Sequence, residues 1–410
     1  MRIGEWCVNI RNMKSQEVKK VYPERSRRVF VGLSGGVDSS VSAALLKKAG
    51  YEVTGVFIKG WHPDWGPCGW QEDRLDAMRV CAHLGIPFCD LDLSKEYKKE
   101  VVDYMIDEYK VGRTPNPDVM CNQKIKFGAF FDWASAQGAN FVATGHYAQI
   151  KNLKLKISKD KNKDQTYFLW TLTQRELSRT LFPVGGMIKS EVRKLAKKFG
   201  LPTAEKKDSQ GLCFVGKVDL PDFLSHFLKP KRGDVLLAPN GVEGGKGGTK
   251  IGWHKGVFFL TIGQRHGFTI TKKTPNDLPY YIVAKDVRKN TITVSHKLFP
   301  QRSDLSLTSR SDLANSVVLR DVNWISPIFD FRGQTSNSRR GLTSPNLFAR
   351  FRYRQPLQEI HLKNKRLNLK SVERFNLEIR FQKPQPAIAP GQSLVIYSKT
   401  EECLGGGIIV

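Results

Sequence analysis

Acidic side chains are scarce in this chain of 410 residues. Against 66 Lys and Arg stand 39 Asp and Glu, a formal net charge of +27. So basic a balance favours a polyanionic partner, most simply nucleic acid. The basic residues are spread along the chain rather than gathered in a tail, which fits a broad footprint on a folded RNA. Long apolar runs are missing as well. None approaches the roughly 18 residues of a membrane span, so no membrane role is expected. The cysteines Cys7, Cys68, Cys81, Cys89, Cys121, Cys213 and Cys403 form no CxxC or metal-knuckle spacing. Their odd number, with no secretory signal, points to a reducing cytoplasm, where a special Cys is a free thiol with a chemical task. Neither GxxxxGK[ST] nor GxGxxG occurs, so the usual mononucleotide and dinucleotide loops are excluded.

A single core does not accommodate 410 residues, and two or three domains are expected. Residues 1–28 read as a basic N-terminal extension; Glu5, Glu17 and Glu24 count against a mitochondrial transit peptide. From residue 29 strand and helix alternate: "VFVGL", a helix over 39–49, "YEVTGVFIK", a helix over 71–84, "FCDLDL", a helix capped by Ser94, a helix over 121–137, "FVATG", and a helix over 190–200. This predicts an α/β fold with a doubly wound parallel sheet over 29–218. Helical periodicity then fades. Residues 219–290 read as a small β-rich domain, and 291–410 as a C-terminal β-barrel, beginning with "TITVS" and including "NLFARFRY", "NLEIRF" and "SLVIYS". The Ser/Asn/Arg-rich stretch 301–345 reads as a loop insertion.

Chemistry enters at "SGGVDSS" (34–40), a Gly-rich turn between the first strand and helix. Such a turn lets backbone N–H groups approach a phosphate at a helix N-terminus. It resembles the PP-loop of ATP pyrophosphatases, which cleave ATP between the α- and β-phosphates and adenylate an oxygen of a second substrate. Asp38 then becomes a candidate partner of Mg²⁺ rather than a helix cap. Two cysteine segments narrow the reading. In "TPNPDVMCNQKIKFG" (114–128) prolines stiffen the approach, Asp118 stands at the expected N-cap, and Cys121 falls in the first turn, where a thiol pKa is lowered. In "KKDSQGLCFVG" (206–216) Cys213 lies in a polar, Gly-flanked loop. Two reactive thiols beside a PP-loop point to sulfur transfer.

With these motifs the chain resembles the tRNA-specific 2-thiouridylases. The matching segments are "GLSGGVDSS" (32–40), "NPDVMCNQKIKFG" (116–128), "ATGHYA" (143–148), "KDQTYFLW" (163–170), "KKDSQGLCFVG" (206–216), "TIGQRHGF" (261–268), "RYRQP" (352–356), "APGQSLVIY" (389–397) and "CLGGGII" (403–409). The resemblance implies ATP binding by Gly32, Leu33, Ser34, Gly35, Gly36, Val37, Asp38 and Ser39, with Ile58 and Gly145. It implies target-base contact by Asn116, Pro117 and Asp118, with Asp118 as general acid/base, Cys121 as nucleophile and Cys213 as persulfide carrier. It further implies tRNA contacts at His146, Lys163, Asp164, Gln165, Arg352, Tyr353 and Gln392. The implied reaction adenylates the oxygen on carbon 2 of the wobble uracil. Sulfur from the Cys213 persulfide replaces that oxygen, directly or as hydrosulfide. Cys121 attacks the persulfide, and a reductant reopens the resulting Cys121–Cys213 disulfide. A persulfide sulfur-donor protein and a cytoplasmic monomer are further expectations. Cys68, Cys81 and Cys89 receive no role, and "WHPDWGPCGW" (61–70) reads as an ordered aromatic loop beside the site.

Two other readings compete. A PP-loop amide ligase needs an ammonia source, and no glutaminase-like segment is recognisable. A non-catalytic RNA-binding protein needs the basic surface but neither thiol.

Overall fold

A computed structural model describes residues 27–66, 69–208, 219–238, 248–271, 277–296, 315–325, 347–363 and 377–410. Cys213, Cys68 and most of residues 1–28 lie outside the described residues, as does most of the stretch 301–345. The chain forms two compact units, one of Met1–Glu100 with Asp118–Lys217, the other of Val101–Pro117 with Val218–Val410.

In the first unit the strands are β1 (Arg28–Leu33), β2 (Glu52–Lys59), β3 (Phe88–Asp92), β4 (Phe141–Ala143), the hairpin β5 (Ala148–Lys151) and β6 (Lys154–Ile157), and β7 (Thr180–Leu181). The helices are α1 (Val37–Lys48), α2 (Trp70–Leu84), α3 (94–110, whose second half belongs to the other unit), α4 (117–136), α5 (Gln174–Ser178) and α6 (Lys189–Lys198). The sheet runs β3-β2-β1-β4-β7, every pair parallel. Its central strand explains the order. Val29 and Val31 are fully buried and Phe30 nearly so, the two-sided burial that parallel sheets require. The order reverses between β1 and β4, so the crevice beyond their carboxyl ends is the site the topology prepares.

Two local starts differ from expectation. The third helix begins at Ser94 rather than being capped by it: Asp92 Oδ1 accepts from the Ser94 backbone N–H at 3.0 Å. The Ser94 hydroxyl also donates to Asp92 Oδ1, and that bond first, then burial working against it and the Lys59 ammonium working with it, holds the Asp92 pKa down at about 2. The fourth helix starts at Pro117, whose missing N–H costs nothing at a first helical position, so Asp118 lies inside the first turn and not at the cap.

The second unit carries α7 (Leu220–Ser225) and a five-stranded sheet. Its strands are β8 (Gly233–Leu237), β9 (Thr249–His254), β10 (Phe268–Ile270), β11 (Tyr281–Asp286) and β12 (Thr291–Ser295), in the order β10-β9-β8-β12-β11. Residues 291–295, expected in the barrel, instead pair parallel with β8 and antiparallel with β11. Ile292 and Val294 fill this sheet's core beside Val235 and Ile282. Six antiparallel strands then form the barrel: β13 (Ser316–Trp324), β14 (Leu347–Arg350), β15 (Gln358–Lys363), β16 (Leu377–Phe381), β17 (Ser393–Ser398) and β18 (Glu402–Ile409). They run β13-β16-β15-β14-β17-β18, and β13–β18 pairing closes the circuit. The stretch read as a loop insertion therefore contains a barrel strand. Val317 and Leu319 of β13 enter the barrel core with Leu347, Phe351, Ile379 and Phe381.

Candidate active site

The PP-loop joins β1 to α1 at the switch point. Its backbone is self-supporting. Ser39 Oγ accepts from the Ser34 N–H at 3.2 Å and donates to the Gly36 carbonyl at 3.1 Å, and Ser40 Oγ donates to the same carbonyl at 2.8 Å. No side chain caps α1, so its positive end is available to an anion. Gly35 has φ +67°, and a β-carbon there would collide with the Asp73 carbonyl. Gly145, just beyond β4, lies against the loop. A β-carbon there would stand 2.6 Å from the Ser39 backbone nitrogen and 2.8 Å from the Asp38 carbonyl carbon. Ile58 is buried near the end of β2; a methyl group on Gly32 would be 3.8 Å from its Cδ1 and 3.5 Å from Phe130. The structure thus brings together the loop, Ile58 and Gly145, which sequence alone lists from three separate segments.

Phe130 lies on α4, the helix that bears Asp118 and Cys121. From Cys121 to Ala129 this helix widens to π geometry, a form frequent at functional sites. Phe127 on the same stretch packs on His146, with ring centroids 5.8 Å apart, so α4 is fixed to the loop after β4. Cys121 is fully buried. Cys81, also buried, has its thiol pKa pushed up to about 11 by desolvation, as befits a core residue under β2.

Asp38 is engaged more fully than a helix cap. Both its oxygens accept from Lys189 Nζ, at 2.7 and 2.9 Å, and the Tyr147 hydroxyl donates to Oδ1 at 2.9 Å. Burial and then the Asp38 charge raise the Tyr147 pKa, which keeps that hydroxyl protonated. Lys189 also meets Asp208 at 2.9 Å, and Asp208 receives Lys163 and Arg193, each at 2.7 Å. Burial opposes the Asp208 charge, but Lys163 and Lys189 outweigh it and hold its pKa well below the usual carboxylate range. Lys189, Arg193 and Asp208 are functional candidates that the sequence reading missed. The Lys189–Asp38 pair spans 151 residues, and no local pattern announces it.

The expected tRNA-contacting residues fall into two groups. Within the first unit, several are turned to internal tasks. His146 is 7% exposed, its Nδ1 is 2.7 Å from the Thr144 hydroxyl, and burial and then Lys126 push its pKa well down, so it is neutral. Asp164 is buried and accepts from the Ser158 N–H and the Thr166 hydroxyl, and Gln165 Oε1 accepts from the Tyr147 N–H. In the second unit, Arg352 is exposed and donates to the Ala387 carbonyl at 2.6 Å, while the Arg354 guanidinium lies 5.0 Å over the Tyr353 ring. Gln392 Nε2 donates to the backbone carbonyls of Thr114 at 3.1 Å and Pro115 at 3.3 Å. The aromatic loop after β2 is partly described: Lys59 Nζ lies 5.0 Å over Trp70, and His62 stacks on the same ring.

Comparison with known proteins supplies the family. Residues 27–217 match the tRNA methyl transferase HUP domain model, 221–296 its PRC-barrel domain and 316–409 the aminomethyltransferase β-barrel domain. The tRNA-specific 2-thiouridylase MnmA 2 of Geobacillus kaustophilus is 42% identical over 93% of this chain and 94% of its own. The enzyme of Streptococcus uberis is 42% identical over 93% and 95%, and that of Staphylococcus carnosus 41% identical over 93% and 95%. Among solved structures, an NMN synthetase from Francisella tularensis is a distant likeness, 18% identical with a TM-score of 0.32, covering 51% of this chain and 76% of that one. With a PP-loop at the switch point of its parallel sheet and relatives this similar along nearly the whole chain, the protein belongs to the tRNA-specific 2-thiouridylase family.

Proposed function

We propose that the chain is a tRNA-uridine 2-sulfurtransferase that spends ATP to exchange the oxygen on carbon 2 of the wobble uracil for sulfur. Family membership supports the activity, and one observation supports the placement: Gly145 seated on the Asp38–Ser39 backbone, which makes one nucleotide cradle of the loop and the β4 end. The α1 N-terminus and the loop N–H groups hold the pyrophosphate, and Ile58 gives the adenine an apolar contact. The Mg²⁺ expected with ATP would meet Asp38, whose oxygens both accept from Lys189, which also holds Asp208; among the described residues this donor set does not fit a protein-held ion. Positive charge near the phosphates comes from Lys189 instead.

Adenylation turns the uracil oxygen into a leaving group that departs as AMP after pyrophosphate has left. Asp118 moves the proton at the base, and Cys213 delivers persulfide sulfur. The outer persulfide sulfur bonds to carbon 2 as AMP leaves; Cys121 then attacks the Cys213 Sγ and breaks its S–S bond to that outer sulfur, so the 2-thiouridine departs and a Cys121–Cys213 disulfide remains, requiring a two-electron reductant for the next turnover. The buried Cys121 must be uncovered for that step. The uridine leaves the anticodon stack to reach the site. The catalytic domain comprises 29–218, the barrel meets tRNA through Arg352 and Tyr353, and the enzyme works in the cytoplasm as a monomer supplied by a persulfide-carrying protein.

The test is direct. Purified Cys213→Ala and Cys121→Ala proteins, given ATP, tRNA and a persulfide donor, are expected to form no 2-thiouridine by nucleoside analysis while binding tRNA normally. Thiolation by the Cys213→Ala protein sinks the persulfide assignment, and loss of tRNA binding by Cys121→Ala marks that Cys as structural.

A further inference from the structure

Asp208 draws more positive charge than one carboxylate needs. Its Oδ1 accepts from Lys189 Nζ at 2.9 Å and from Arg193 Nη2 at 2.7 Å, and its Oδ2 from Lys163 Nζ at 2.7 Å. The chain just before it is tied down as well. Arg193 Nη1 donates to the carbonyls of Ala204 at 3.3 Å and Lys206 at 3.1 Å, and Lys206 Nζ reaches Asp73 at 2.7 Å and Asp76 at 2.5 Å. Asp73 is the residue whose carbonyl backs Gly35 of the PP-loop. All of these groups belong to the first unit.

Lys189 is the first residue of α6, and the start of that helix is braced. The Lys189 N–H donates to Asp160 Oδ2 at 2.9 Å, and the Ile188 N–H to Glu191 Oε2 at 2.9 Å. With the backbone fixed, the facing carboxylates set where the ammonium stands. It has three protons, and three carboxylate oxygens lie within 2.9 Å of it, two from Asp38 and one from Asp208. A phosphate oxygen can accept from Lys189 only by taking the place of one of them. Asp38 is the partner that can give way. It keeps the Tyr147 hydroxyl at 2.9 Å, and it lies in the first turn of α1, where the helix end favours negative charge. Asp208 has Lys163 and Arg193 to neutralise it, so the charge of Lys189 is surplus there and suits an anion at the same helix end.

We propose that Asp208 is a positioning residue for the pyrophosphate end of ATP. Its carboxylate anchors the Lys189 ammonium beside the PP-loop, so that the ammonium exchanges an Asp38 oxygen for a phosphate oxygen without leaving its place. Lys163 and Arg193 hold Asp208 charged and aimed for that task. This role rests on the reading above that Lys189 supplies the positive charge near the phosphates.

Isothermal titration of the full chain with inorganic pyrophosphate tests it by sign. Asp208→Asn removes a negative charge, which by charge alone tightens the binding of an anion, whereas loss of the anchor weakens it. The Kd for pyrophosphate should rise about tenfold, equivalent to about 1.4 kcal/mol, and the KM for ATP should rise with it. Lys189→Met should raise the Kd at least as much. Asp208→Asn added to Lys189→Met should raise it no further, because the aspartate acts through the lysine. A general loosening of the site would instead weaken binding alike in both backgrounds. An unchanged or lowered Kd in Asp208→Asn, beside a raised Kd in Lys189→Met, overturns the proposal and leaves Lys189 at the phosphates. Additive rises overturn it too and mark Asp208 as structural. An unchanged Kd in Lys189→Met overturns both the proposal and the reading beneath it.

Discussion

At the residue scale the unexpected centre of the site is Lys189. Its side chain is 15% exposed and its ammonium lies between Asp38 and Asp208. Lys189→Met leaves two half-buried carboxylates without their shared counter-charge. The loss should be about 1–2 kcal/mol, between the exposed and fully buried limits for breaking an ion pair, read as a lower denaturant midpoint with unchanged slope. The sign of the pH effect follows from Asp208. Its folded pKa lies below the ordinary carboxylate value of about 3.9. The folded state therefore binds fewer protons, so Asp208 stabilises the protein above that ordinary value and ceases to do so as pH falls through the folded pKa. The methionine variant should lose less stability than the parent between about pH 4 and pH 2. An acid profile parallel to the parent's would mean that Lys189 does not carry the Asp208 shift. Lysine at this point is invisible in "IKSEVRKL", where Lys189 looks like one more solvated charge on a basic helix.

At the scale of elements, the approach of Gly145 to the PP-loop gives a sharp expectation. Gly145→Ala puts a methyl group within 2.6 Å of a backbone nitrogen, and neither side is a flexible side-chain end. The loop or the β4 end must shift, and ATP affinity should fall about tenfold or more, in line with the loss of about one charge-assisted hydrogen bond. Isothermal titration with ATP checks this; an unchanged affinity removes Gly145 from the nucleotide site. How far such elements were readable depends on what shapes them. Strands β1 to β4 and α1, α2 and α6 are legible because apolar runs mark the strands and helices leave a 3.6-residue period, whereas the two-residue β7 is too short to leave a pattern. The placement of β12 is not legible, because "TITVS" has the same alternation whether it joins the middle sheet or the barrel. β13 is hidden by its neighbours in sequence: "SVVLRDVNW" sits among Ser- and Arg-rich residues that dominate any window. The cradle was legible as motifs and not as a shape, since the contact of Gly145 with Ser39 spans more than a hundred residues of chain.

For the molecule as a whole the decisive quantity is the net charge of +27. A tRNA carries a condensed counterion layer, and each phosphate neutralised by Lys or Arg releases part of it. The logarithm of the binding constant then falls linearly with the logarithm of salt concentration, with a slope of roughly 0.7–0.9 per phosphate contact. A footprint of about 6–10 contacts predicts a loss of about 10³–10⁵ in affinity between 50 and 200 mM salt. The slope also separates roles that a single Kd confuses. Arg352→Ala should lower it by about one if the guanidinium meets a phosphate. Cys213→Ala changes no charge on the RNA-facing surface and should leave the slope alone, however completely it stops the chemistry. Filter binding of tRNA across a salt series measures both. A slope near zero for the parent protein means that its basic residues do not face the RNA, and the broad electrostatic footprint is then wrong even if thiolation proceeds. An Arg352→Ala protein with the parent's slope and Kd takes that residue out of the interface and leaves the remaining Lys and Arg to carry it.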